Sequence, residues 1–199
     1  LRRNSRLSAF GAVGLGAVAL VIDLGRPERF LYMLRTVKLS SPMSVGSWIL
    51  SGFSAFAGVA AVAEVDRMTA QKLPLGPLRR LLQWVETPAG VAAGLFGPPL
   101  AAYTAVLLSD TANPTWNDAR EYLPFVFVSS ASLAAGGLGM ITTPVADAGP
   151  ARALAVLGSA CELTASELME RTMDPVAAEP LHHGTPGELL KWSKRLAAL

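Results

Sequence analysis

The residues whose types and spacing carry the most chemistry are Asp23-Leu24-Gly25-Arg26-Pro27-Glu28-Arg29-Phe30. An acid closes a long apolar run, and a Gly-Arg-Pro turn with further arginines follows. An ionisable group at the edge of a bilayer is costly to keep, so it reads as functional by default. This arrangement suits proton exchange, or the holding of an anionic or quinoid head group. The plainer reading of Asp23 with Arg26 is a local salt bridge that caps the loop. Tyr103 is the second candidate, because its hydroxyl both donates and accepts a hydrogen bond. Its plainer reading is an interhelical hydrogen bond or a packing aromatic.

The elements that must position these groups are apolar helices. The chain is 51% hydrophobic and only 16% charged, with a mean hydropathy of +0.39. A soluble domain carries about a quarter charged residues. The 18 glycines fit helices packed closely in lipid. A net charge of +2 without a Lys/Arg block argues against nucleic acid as a partner. The one cysteine, Cys161, cannot supply the four thiolates of an iron–sulfur cluster. It reads as a small buried hydrophobe. His182-His183 sits in a polar loop without the further ligands that a metal needs, so neither metal nor haem is expected in this chain. Arg2, Arg3 and Arg6 before an apolar run imitate a signal peptide, but no small-x-small cleavage pattern follows. Leu1 at one end and Leu196-Ala197-Ala198-Leu199 at the other read as a fragment of a longer protein.

A membrane-crossing helix needs about 20 mostly apolar residues. Five segments qualify, at about 7–24, 44–65, 85–108, 122–143 and 151–169. The expected fold is an all-α integral membrane protein, a multi-span bundle forming one transmembrane domain over 1–199. The fifth span carries Glu162 and Glu167, read either as a proton route or as solvated acids. Glu64 and Glu86 flank the second loop and read as span boundaries. Phe30, Leu31, Leu34 and Val37 line one side of a short amphipathic helix over 27–38, with Arg29, Arg35 and Lys38 flanking it. Pro42, Pro88, Pro124 and Pro150 lie near span starts, where a missing N–H costs little. Trp48, Trp84, Trp116 and Tyr122 lie near span ends, as aromatic belt residues do. Gly90 and Gly94 form a small-residue packing face. The first and third spans run in the same direction, away from the face that carries Leu1. At 1.5 Å per residue Tyr103 lies roughly 10 Å below the exit near Asp110. Asp23 and Tyr103 therefore share a depth and can bracket a head group entering from lipid. Lys and Arg are spread nearly equally over the two faces, so the positive-inside rule selects no orientation.

The run from Asp23 to Leu50, which opens Asp-x-Gly-Arg-Pro, resembles the NrfD/polysulfide reductase membrane-anchor family. So does Tyr103-Thr104-Ala105-Val106-Leu107-Leu108, followed by Thr111-Ala112-Asn113-Pro114-Thr115-Trp116. A vaguer likeness covers Glu162–Arg171 and the turn Gly184-Thr185-Pro186-Gly187. The resemblance implies a quinone/quinol-binding anchor subunit of an oxidoreductase complex in the bacterial cytoplasmic (inner) membrane, not catalytic alone. Its implied cofactor is menaquinone or ubiquinone, held non-covalently. Its implied partners are an iron–sulfur, ferredoxin-like subunit and a large molybdopterin catalytic subunit, with the lipid bilayer around it. The five segments correspond to the second to sixth spans of such a subunit. By the same likeness Tyr103 meets the quinone, and Asp23 exchanges protons beside Arg26. Two rivals stand against it. A multi-pass transporter or channel predicts discontinuous helices and internal repeats, and no convincing repeat is present. A structural anchor without quinone differs in one respect: it is indifferent to Tyr103→Phe.

Overall fold

The computed structural model describes residues 1–23, 25, 32, 35, 37–69 and 74–198, except for the side chain of Asp23. The described residues form helices and no strand. In chain order these are α1 (Arg2–Asp23), α2 (Pro42–Met68), α3 (Leu78–Ser109), α4 (Pro114–Asp118), α5 (Leu123–Thr142), α6 (Gly149–Thr172), α7 (Pro175–His182) and α8 (Gly184–Ala197). Short 3-10 turns at Ala119–Glu121 and Val145–Asp147 join neighbours. α1, α2, α3 and α5 are long and apolar enough to cross a membrane. They overlap the first four expected spans. The fifth lies inside α6, a continuous helix whose Glu162, Glu167 and Glu170 keep it out of that apolar set. The amphipathic helix expected over 27–38 falls largely outside the described residues.

Three helix starts follow one local rule, a polar cap and then proline. The N–H of Thr115 donates to the side chain of Asn113 at 3.1 Å, and Pro114 opens α4. The N–H of Val176 donates to Asp174 at 2.9 Å, and Pro175 opens α7. Ser41 and Pro42 open α2 in the same way. Such caps satisfy donors that a helix start leaves orphaned, and proline there gives up an N–H that has no partner anyway. Pro88 departs from expectation, because it lies inside α3 with Pro98 and Pro99. The reason is length: α3 begins at Leu78, in the charged stretch before its apolar run.

The chain divides into two compact units, Leu1–Leu100 and Ala101–Leu199. In the first, α1 packs on α2. Ala57, Ala60 and Ala61 form a buried face of α2, and the Phe10 ring of α1 lies over Gly58. These small side chains let the helices approach closely. In the second, α5 and α6 meet backbone to backbone at two glycines. A Cβ on Gly136 would stand 2.6 Å from Ala155 N, and one on Gly158 would stand 2.9 Å from Ser129 O. A core of Ala105, Leu123, Met169 and Met173 lies beside this pair. Many large apolar side chains point outward: Leu15 is 76% exposed and Ile141 86%. Small residues inside and large apolar residues outside are the distribution expected where the solvent is lipid. Cys161 corrects the sequence reading, since it is exposed on α6 rather than buried.

Candidate functional site

The most highly connected polar site of the first unit joins the start of α1, the end of α2 and the start of α3. Glu64 and Glu86 are 4% and 7% exposed. Glu64 Oε2 sits 3.1 Å from Arg6 Nη1, 3.1 Å from Arg67 Nη1 and 3.7 Å from Arg2 Nε. Glu86 takes Arg6 Nη1 at 3.3 Å, and its other carboxylate oxygen pairs with Arg67 Nη2. Arg6 Nη2 also donates to the Glu86 carbonyl at 3.4 Å. One turn beyond Glu86, the bare Cα of Gly90 leaves room for this guanidinium, with a would-be Cβ 3.4 Å from Arg6 Nη2. Beside the network, Arg79 grips Asp66 through two N–H donors at 3.1 and 3.3 Å. A cavity of about 270 Å³ opens against these groups, lined by Ala63, Asp66, Arg67, Leu82, Gln83 and Glu86.

This corrects the reading of Glu64 and Glu86 as mere span boundaries. The alanine face of α2 was the available signal, because Ala57, Ala60 or Ala61, and Glu64 recur at helical spacing and so turn inward together. Once inward, the acids need partners. A buried charge without one costs several kcal/mol, and arginine forks satisfy both carboxylate oxygens.

The residues singled out for head-group chemistry lie elsewhere. Asp23 is the last residue of α1. Its side chain and the whole of Arg26 lie outside the described residues. Tyr103 is half-buried on α3, in the second unit. The two acids of the fifth segment diverge. Glu167 forms an exposed pair with Arg171 at 2.9 Å, whereas Glu162 turns inward beside Ser130 and leaves one buried oxygen without a hydrogen-bond partner. Glu170 pairs with Lys194 and ties α6 to α8. Among the described residues no group of three or more His, Cys, Asp or Glu is placed to hold a metal ion.

A family model described as polysulphide reductase, NrfD, matches residues 2–151. The chain belongs to that family. The match includes both quoted stretches, α1 to α5 and all the ionic site. No curated protein and no solved structure matches the chain. With its four apolar helices, the NrfD chain is an integral membrane protein. Its family supplies membrane anchor subunits of polysulfide reductase-type oxidoreductases, whose members in general work with iron–sulfur and molybdopterin subunits.

Proposed function

We propose that this NrfD chain is the quinone/quinol-binding anchor of a multi-subunit oxidoreductase in a bacterial cytoplasmic membrane. It passes electrons between a membrane quinone and an iron–sulfur, ferredoxin-like subunit, while a molybdopterin subunit acts on the substrate. The observation that carries this reading is the family match over residues 2–151, which spans both the Asp23–Leu50 run and the Tyr103–Trp116 stretch. Menaquinone or ubiquinone, when bound, supplies the two-electron, two-proton chemistry.

The chain's own residues bind the head group and move protons. Tyr103 sits half-buried on an apolar helix, so its hydroxyl can donate to a carbonyl oxygen with little competition from bulk water. Asp23 ends α1, at the lip where an apolar run gives way to a polar loop. A carboxylate there takes up or gives up a proton at the membrane edge. By the family likeness, Arg26, three residues on in the chain, belongs to the same site.

The test is Tyr103→Phe in the assembled complex. Losing one hydrogen bond to the head group lowers quinol-linked turnover roughly 10- to 100-fold, with subunit assembly unchanged. Turnover equal to wild type would favour the structural-anchor reading instead.

A further inference from the structure

One inward-turned carboxyl of the second unit has no counter-charge among the described residues. Glu162 lies midway along α6, on the side that packs against α5. It stands one turn beyond Gly158, where a Cβ would meet Leu133 N at 2.5 Å. One turn further on is Ser166, which is 6% exposed. Residues four apart share a helix face, so Glu162 belongs to the seam between the two helices. Its carboxyl lies beside the Ser130 hydroxyl of α5, a hydrogen-bonding neighbour. Its Oε2 is buried and has no hydrogen-bond partner.

The charged groups around the seam are engaged elsewhere. α5 contains no titratable side chain. On α8, Lys194 is taken by Glu170 and Arg195 lies over the Trp192 ring, while Glu188 and Lys191 are exposed. On α6 itself Arg171 pairs with Glu167, Arg152 reaches the Val145 carbonyl, and Cys161 is exposed. The tail of α3 and α7 reach α6 near Met169 and Met173 through alanines. Arg120, Glu121 and Asp147, on the two 3-10 turns, are exposed. An ionised carboxylate in this seam keeps a bare oxygen out of water with neither a donor nor a cation, the costly form of a buried acid. A neutral carboxylic acid asks for less, and its O–H gives Ser130 a proton to accept in a hydrogen bond. After the proton has left for water, the same hydroxyl turns and donates to the carboxylate.

We propose that Glu162 is a proton-holding site, a neutral carboxylic acid at rest in the α5–α6 seam that exchanges its proton with water, with Ser130 as its hydrogen-bond partner in both states. Loading forms the carboxyl O–H bond and discharge breaks it, and no electron moves. Acids set among the helices of membrane proteins characteristically serve as proton carriers. The site is independent of the quinone reading, since it uses none of Asp23, Arg26 or Tyr103.

The test is infrared spectroscopy of the detergent-purified complex at neutral pH, wild type minus Glu162→Gln. The difference shows a carboxylic acid C=O band that the variant lacks and that shifts down in D2O. Ser130→Ala moves this band to higher frequency, because the acid loses a hydrogen bond. Glu162→Gln assembles and melts with wild type, since a neutral amide replaces a neutral acid of nearly the same shape. Carboxylate bands in the difference, with no acid band, overturn the proposal. A Glu162→Gln complex that fails to assemble or melts far below wild type overturns it as well, because a lost ion pair and not a neutral acid gives that result. An acid band that Ser130→Ala leaves in place removes Ser130 from the site and overturns it too.

Discussion

Glu64 and Glu86 sit 58 and 80 residues along the chain from Arg6, which bridges them. That separation is why the sequence did not show Arg6 as their partner, although the alanine spacing of α2 could have turned Glu64 inward. An acid at the end of an apolar run looks the same whether it turns to solvent or toward a neighbouring helix. Only the packing of α1 on α2 decides which. Asp23 and Tyr103 were singled out for the opposite reason: each is marked by its own neighbours in the chain, a Gly-Arg-Pro turn in one case and a Thr-Ala-rich helix end in the other. The structure sharpens one expectation at this scale. Arg6→Ala strips a bridging partner from two buried carboxylates and destabilises the chain by about 3–5 kcal/mol. Thermal melting in detergent reads this as a clear drop, and a variant that melts with wild type would show that Arg67 and Arg2 suffice. Tyr103→Phe belongs to the other class: assembly survives and turnover falls.

Among the elements, the α5–α6 pair depends on two positions without a side chain. Gly158→Val places a branched group where the Leu133 and Ser129 backbone already lies, so the helices must separate. Overpacking of this kind costs about 1–3 kcal/mol, seen as a lowered melting temperature and partial loss of the folded species. Gly137→Ala is the contrasting case, because nothing lies within 4 Å of a Cβ there. It should be neutral or stabilise by about 0.5–1 kcal/mol through helix propensity. Equal damage from both would mean that the pair does not depend on the Gly158 contact. Hydropathy made α1, α2, α3 and α5 readable, since each is an apolar run of spanning length. It also placed the fifth segment inside α6, but the acids on that helix keep it out of the apolar set. The start of α3 was misplaced for a related reason. Polar residues continue a helix past the apolar run without changing its hydropathy signal, which left Pro88 looking like a first-turn proline.

As a whole molecule, the chain turns many large apolar side chains outward, and among the described residues its most deeply buried acids, Glu64, Asp66 and Glu86, are paired with arginines at one end of the first unit. Those features fit a membrane anchor subunit, the class of protein that the family supplies. The account therefore predicts a particular content for the assembled complex. The measurement that tests it most directly is quinone and iron in the detergent-purified complex expressed from its native operon. The account predicts menaquinone or ubiquinone together with an iron–sulfur subunit, and loss of the quinone but not of the subunit in Tyr103→Phe. A clean isolation with neither quinone nor iron–sulfur partner would contradict it.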